Sequence, residues 1–320
     1  MKKLWESCGD FLVLLMINIR VYLRHPMWMA RTAYRQRTIP NIAVPTRFRE
    51  KRIWRLIFDQ NPLFHLFGDK MAAKEWMKER APGLDAARTL WSVTSVSELP
   101  HDALRAGVVV KANSGCDQNI FLAADPEDPD SIKDTMSEWL LAPYTEKHGG
   151  RYWPNPTQKV FGEEVIINEN GPLIDVNFFC CDGQVHFAII TIGEKTDDER
   201  IAYFTADGQR IISIMHEPGY QRDWLPLDFV VPVGYAEAVK AAADLSVGID
   251  FIRVDLMIAN NRPYACEMSP FPGYGYYDTT ALYKNWVKYW DIRLTWFVQQ
   301  PKYGFTERYR KALGRRLGAN

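Results

Sequence analysis

Cysteine is scarce in this chain and poorly arranged for a structural role. Five occur, at Cys8, Cys116, Cys180, Cys181 and Cys266. The number is odd and no CxxC spacing exists, which excludes a disulfide framework or a clustered zinc site and makes a reducing compartment the default. Net charge is also missing, since 39 Lys and Arg balance 39 Asp and Glu. No apolar run approaches the roughly 20 residues needed to cross a bilayer. No GxxxxGK[ST] loop occurs, which excludes a Walker-type phosphate site. The basic, aromatic stretch 26–58 comes with no DNA- or RNA-binding motif, so nucleic acid is not expected as a partner.

What is present is ample for a core. The chain has 320 residues, 47% of them hydrophobic, which suggests two subdomains or one large α/β unit. Its charge is unevenly spread. Residues 1–58 hold twelve Lys and Arg against three Asp and Glu, and residues 302–320 hold six against one. Basic ends around an acidic body suit an anionic membrane surface or an acidic polymer. Near the start, Lys2 and Lys3 precede an apolar run at 11–17, followed by Asn18, Arg20 and Arg24 with no small-residue cleavage site. This reads as a helix lying on a membrane or docked on the protein body.

The stretch 249–278 carries the most chemistry. Segments 251–259 and 264–268 flank Asn260, Asn261, Arg262 and Pro263, which predicts a β-hairpin. Alternation puts Arg253, Asp255 and Met257 on one face of the first strand, and Ala265, Glu267 and Ser269 on one face of the second. A matching register brings Asp255 beside Glu267. Two close carboxylates repel, and a divalent cation such as Mg²⁺ removes the conflict. The alternative is an ordinary pair between Asp255 and Arg253 on a half-exposed sheet.

Earlier in the chain, Asp69 and Lys70 open a helical pattern that Pro82 and Gly83 end. A lysine at a helix start is disfavoured by the helix dipole, which hints at another task. An apolar strand at 108–110 ends in Lys111, followed by Ala112, Asn113, Ser114, Gly115 and Cys116. Such a small-residue loop can offer backbone N–H groups to phosphate oxygens while the lysine adds a point charge. The alternative is a plain hairpin with an edge lysine. Residues 148–151 read as a break. Strand patterns follow around Glu163 and Glu164 and at 173–180, where Asp175 and Asn177 share a face. Asp182 and Gly183 mark a tight hairpin turn. A helix is expected at 235–247 and a short basic one at 307–316.

In this order, GDKMAAKEWM, ELP…VVVKANSG, VFGEEVI, IDVNFFCCDGQVHF and FIRVDLMIANNRPYACEMSPFPG resemble the ATP-grasp superfamily and, within it, the TupA-like family. The resemblance covers residues 61–280. It implies an α+β fold in which two subdomains clasp a nucleotide. It divides the chain into a basic extension (1–58), a flap-bearing subdomain (59–160), a subdomain with adenine hinge and metal hairpin (161–285), and aromatic, basic C-terminal helices (286–320). It further implies an ATP-dependent carboxylate–amine ligase using ATP and Mg²⁺, or Mn²⁺ in its place. By that resemblance Lys70 and Lys111 hold phosphates under a flap of Asn113, Ser114 and Gly115. Glu163, Glu164, Val165 and Ile166 form the adenine hinge, and Asp175 meets the ribose. Asp255, Glu267 and Ser269 hold the metal, and Arg253 and Lys195 serve catalysis. The chain departs from the family pattern at Asn177, often Lys, and at Ser269, commonly Asn, while Lys195 takes the place of an Arg. A kinase acting on a non-carboxylate acceptor, or a non-catalytic relative, is the alternative. The expected partners are ATP, a carboxylate acceptor and an amine donor, with a polysaccharide precursor as acceptor. The expected place is the cytoplasm, peripheral to the inner face of the membrane.

Overall fold

Two sheets organise the chain in a computed structural model that describes residues 2–122, 128–141, 156–273 and 280–318, the side chains of 2–7 aside. The break expected at 148–151 lies outside these residues. The described strands are β1 (Asp85–Ala86), β2 (Thr89–Val93), β3 (Val108–Ala112), β4 (Asn119–Phe121), β5 (Val160–Glu164), β6 (Ile174–Cys181), β7 (Gln184–Ile192), β8 (Arg200–Phe204), β9 (Ile252–Ala259) and β10 (Arg262–Ser269). The larger sheet runs β1-β10-β9-β6-β7-β8 and the smaller β2-β5-β3-β4. Every pairing is antiparallel except that of β1 with β10. The short β1 has no sequence signal of its own, because two residues carry no period.

Alternation builds the large sheet. Val176, Phe178 and Cys180 of β6 and Val254, Leu256 and Ile258 of β9 point to one face. There they meet the Ala-rich helix Tyr235–Ser246 and the helices Pro62–Phe67 and Lys70–Arg80. On the opposite face Phe179, Phe187, Tyr203, Phe251, Trp286 and Trp290 form a second core. Each such buried aromatic contributes about 1.5–3 kcal/mol, enough to fix the sheet against the C-terminal aromatic segment. This second core covers only one end of that face. The next rows carry Asn177, Asp255, Glu267 and Asp175.

Both long hairpins turn on two residues. Asp182 and Gly183 have φ of 45° and 79°, and Asn260 and Asn261 have φ of 49° and 64°. Two successive positive φ values are the mark of a type I′ turn, whose twist suits the flanking strands. The second turn is thus shorter than the sequence pattern suggested, and Arg262 and Pro263 already belong to β10.

The small sheet splits its faces cleanly. Val108, Val110 and Val160 pack with Leu122 and with Met136 of the helix Pro129–Leu141. The other face presents Val109, Lys111, Phe161 and Glu163, placed together by the β3–β5 register. Gly162 lies under Trp91, where an added Cβ would come within 2.4 Å of the indole. The subdomain boundary expected at 160/161 falls inside β5.

The chain ends share a third core. The helix Lys2–Arg24 sets Ile17 and Val21 against Leu313 of the helix Gly304–Leu317, with Trp54 and Phe297 beneath. Arg315 grips Asp10 with two bonds of 2.8 and 2.6 Å. The Trp54 indole donates to the Tyr309 hydroxyl at 2.6 Å, which donates to the Ala43 carbonyl at 3.0 Å. Between these ends the helix Phe48–Phe58 buries its cations. Lys51 donates to the carbonyls of Val287 and Trp290, Arg52 to Pro272 and Phe271, and Arg55 to Phe251, Pro270 and the Asp250 carboxylate. Much of the basic excess read from 26–58 is therefore internal bracing, since buried charge must find partners inside the fold.

Candidate active site

The site begins with a helix cap. Asp69 accepts from the amides of Met71 and Ala72 at 3.0 and 3.3 Å, which satisfies the helix start. Its second oxygen accepts from the Asn113 amide at 2.9 Å, tying the helix to the loop after β3. Lys70 follows the cap. Its backbone N–H donates to the Asn113 carbonyl, and its ammonium donates to the carbonyls of Ala112 at 3.3 Å and Gly115 at 2.6 Å. Gly115 adopts φ of +92°, which favours glycine.

Asn113 does not present its side chain outward as a flap residue would. It is fully buried; its amide donates to Asp69 and to the Thr157 carbonyl, and its side-chain oxygen accepts from the Lys159 N–H. Its task is to brace the loop. Ser114 is likewise turned in, donating to Gln158 at 2.8 Å.

Lys111 stands on the small sheet and bonds Glu163 at 2.8 Å. The other oxygen of Glu163 is bonded by Lys74, one helical turn beyond Lys70. Sequence reading missed Lys74, although a spacing of four residues puts both lysines on one helix face. Glu163 is 1% exposed, and although burial opposes ionisation, the two ammonium groups hold its carboxyl below the usual range. Burial depresses Lys70 and Lys74, with Lys111 adding to both effects. Two cations thus share the Glu163 carboxylate, and the Lys70 ammonium, which feels the Lys111 charge, is held by backbone carbonyls alone.

Glu163 and Glu164 point to opposite sides of β5. Glu164 faces outward and pairs with Arg88, so only Glu163 reaches the interior. The Val165 N–H donates to the Gly107 carbonyl at 3.0 Å and is not free to read a base edge. Ile166 follows directly and is half-buried.

The opposite wall belongs to the large sheet. Glu267 stands across from Asp255, which stands across from Asn177 on β6. This is the register that brings the two carboxylates together, whereas unbroken alternation from the turn would set Glu267 across from Val254. It depends on a bulge at Cys266, which sends Ala265 to the apolar face and leaves Glu267 and Ser269 with Asp255. Ala265 therefore does not share their face as the sequence suggested. Ser269 donates to Glu267 at 3.1 Å and to Asp255 at 3.4 Å. Arg253 clamps Asp255 with bonds of 2.7 and 2.6 Å. Even so, burial, with the nearby Glu267 and Glu194 charges, pushes the Asp255 carboxyl up to about 6. Asp175 is pushed up to about 8 by burial, by the charge and hydrogen bond of Glu194, and by Asp255. Glu194, next to the expected Lys195, was also missed.

These donors suit a hard divalent cation. Among the described residues no group of three or more His, Cys, Asp and Glu gathers tightly enough to hold a metal alone. Mg²⁺ needs no such cage, because it keeps waters and substrate phosphates as ligands beside one or two carboxylates. The Asp255 and Glu267 carboxylates, side by side in register and bridged by the Ser269 hydroxyl, are the observation that fits it.

The two walls face each other. Glu267 acts on both Lys70 and Lys111, favouring the charged form of each. At the rim, Lys195 reaches from the β7–β8 turn to Asp117 in the loop after β3, at 3.0 Å. Lys70, Lys111, Asp175, Asp255 and Glu267 thus gather where the two sheets meet.

No curated protein matches the chain. Among solved structures, D-alanine–D-alanine ligase from Bacillus anthracis with ATP is 16% identical, with 66% of this chain covering 58% of that one at a TM-score of 0.38. L-amino acid ligase from Bacillus licheniformis is 13% identical, with coverages of 85% and 56% and a TM-score of 0.43. The ATP-grasp ligase PsnB with a phosphomimetic precursor variant, Mg and ADP is 14% identical, with coverages of 72% and 60% and a TM-score of 0.40. The chain spans less than two thirds of the length of each. The TupA-like ATPgrasp family matches across residues 50–286, the region that holds both sheets and every candidate site residue, and the chain belongs to that family.

Proposed function

We propose that this protein is an ATP-dependent carboxylate–amine ligase that works through an acyl phosphate. The observation that carries the reading is the facing pair of walls: Lys70, Lys74 and Lys111 on one side, Asp255, Glu267 and Ser269 on the other. A carboxylate is a poor electrophile. Attack of its oxygen on the γ-phosphorus of ATP breaks the bond to ADP and forms an acyl phosphate. An amine lone pair then attacks the acyl carbon, phosphate departs, and the nitrogen loses a proton. Positioning and charge neutralisation supply most of the rate in phosphoryl transfer.

The lysines would hold polyphosphate oxygens, with Lys111 exchanging Glu163 for phosphate. Mg²⁺, held by Asp255 and Glu267 with Ser269, would neutralise charge on the phosphates when bound. Arg253 would steady the carboxylate or acyl phosphate. The loop at 112–117 would exclude water from the hydrolysable intermediate, with Lys195 as its fastening. Asp175 would meet the ribose, and Ile166 the base. The acceptor we infer is a cell-surface polysaccharide precursor or a related acidic polymer, acted on at the inner face of the membrane.

Calorimetry of ATP binding with Mg²⁺ tests this. Lys111→Ala and Glu267→Gln should each weaken nucleotide affinity at least about tenfold. Unchanged affinity in both would sink the assignment. Hydroxylamine trapping then separates reactions, since a ligase yields a hydroxamate from the activated carboxylate and a kinase does not.

A further inference from the structure

The helix Lys2–Arg24 is apolar on two sides. One side is spent on the fold, where Ile17 and Val21 are buried and Val13 and Leu14 pack beside them. The other side carries Phe11, Leu12, Leu15, Met16, Ile19 and Leu23, exposed from 43% at Leu15 to 79% at Leu23. At 100° per residue these six fall within an arc of about 140°, opposite the docked side. A solvated helix of a globular protein should be polar there. No helix among the described residues is long and apolar enough to cross a membrane. The stripe therefore faces outward, with no cover from the described residues.

Its surroundings select the cover. Arg20 and Arg24 line a shallow depression with Met16, Ile19 and Leu23. Arg31 and Arg35 of the next helix, Pro26–Gln36, are exposed too, as is Met27. Between residues 7 and 49 the sole acid is Asp10, and it is held by Arg315. Two copies joined through this stripe would bring Arg20 and Arg24 of one beside those of the other, with Asp10 already engaged by Arg315. A surface that is apolar at depth and anionic at its rim satisfies both features, and a bilayer with acidic headgroups is such a surface.

We propose that this helix seats the protein on an anionic lipid bilayer, with Phe11, Leu12, Leu15, Met16, Ile19 and Leu23 among the acyl chains and Arg20, Arg24, Arg31 and Arg35 at the phosphates. The proposal deepens the location given above, and it stands on the helix rather than on the ligase site. The inner side of the helix stays docked on the helix Gly304–Leu317, so a peripheral seat forms without unfolding.

Sedimentation of the full chain with vesicles tests it. The chain should pellet with vesicles containing phosphatidylglycerol and stay in the supernatant with phosphatidylcholine alone. The triple substitution Leu15→Gln, Ile19→Gln, Leu23→Gln and the double substitution Arg20→Glu, Arg24→Glu should each lower the partition on the order of tenfold or more. Both sets lie at exposed positions, and ATP affinity measured on the same samples should match wild type. Failure to pellet, equal pelleting with neutral lipid, or partition unmoved by either set overturns the proposal. So does a light-scattering mass of two chains that the triple substitution halves, which would give the stripe to a second copy. None of these results bears on nucleotide binding, so the ligase reading stands or falls separately.

Discussion

Asp117 and Lys195 meet at 3.0 Å across the gap between the two sheets. One follows the glycine of the β3–β4 loop, and the other sits at φ of 65° in the β7–β8 turn. The side chains are 70% and 50% exposed, so the pair adds about 0–1 kcal/mol at most to stability. Its effect is local. Asp117→Asn should leave the melting temperature nearly unchanged while amide exchange in 113–117 speeds up. Exchange no faster than in wild type would show that the pair does not hold the loop.

Glu163 predicts a larger effect. Its carboxylate is shared by Lys74 and Lys111, and all three side chains are mostly buried. Glu163→Gln keeps the shape and leaves two ammonium groups facing each other. Breaking a buried pair from one side costs about 3–5 kcal/mol. Urea unfolding should show a loss of that order, and saturating ATP should restore more stability to the variant than to wild type. An unmoved urea midpoint would contradict the pairing.

Asp175 should make stability depend on pH. Its folded-state value of about 8 lies above the ordinary 3.8, because burial and Glu194 favour the neutral form. A raised carboxyl binds its proton more tightly when folded. Its contribution is full below about pH 4 and is lost as pH rises through about 8. The urea midpoint of wild type should therefore fall between pH 5 and 8 more steeply than that of Asp175→Asn. Parallel curves would remove Asp175 as the cause.

Gly162→Ala tests the small sheet. The new methyl would meet the Trp91 ring at 2.4 Å, and the indole is held by its bond to the Ala103 carbonyl at 3.2 Å. Overpacking of this kind costs about 1–3 kcal/mol. A shifted near-ultraviolet tryptophan signal should accompany the loss. Wild-type stability with an unshifted signal would mean that the ring has another place to go.

Much of this was legible because it is periodic. Alternation in 251–269 predicts the hairpin, and a cap followed by an apolar repeat predicts the helix at Lys70. Events that break a period were not. The bulge at Cys266 moves Ala265 to the other face, and no residue type announces it. Asn113 resembles a phosphate-loop residue in sequence, yet the direction of its amide is decided by Asp69 and Thr157, more than forty positions away. The cations of 48–58 read as a surface, and only tertiary packing turns Lys51, Arg52 and Arg55 inward. Lys74 differs, since its relation to Lys70 is helical and was open to inspection.

The hydrogen-bonded chain from Trp54 through Tyr309 to Ala43 links both ends of the polypeptide in one place. Trimming either end is consequently no neutral subtraction: stripping the first helix would uncover Leu313 and neighbouring apolar groups and yield a sticky remnant. Such a remnant could cling to lipid for reasons of its own, so side-chain exchange on an intact backbone is the informative way to ask where this protein resides.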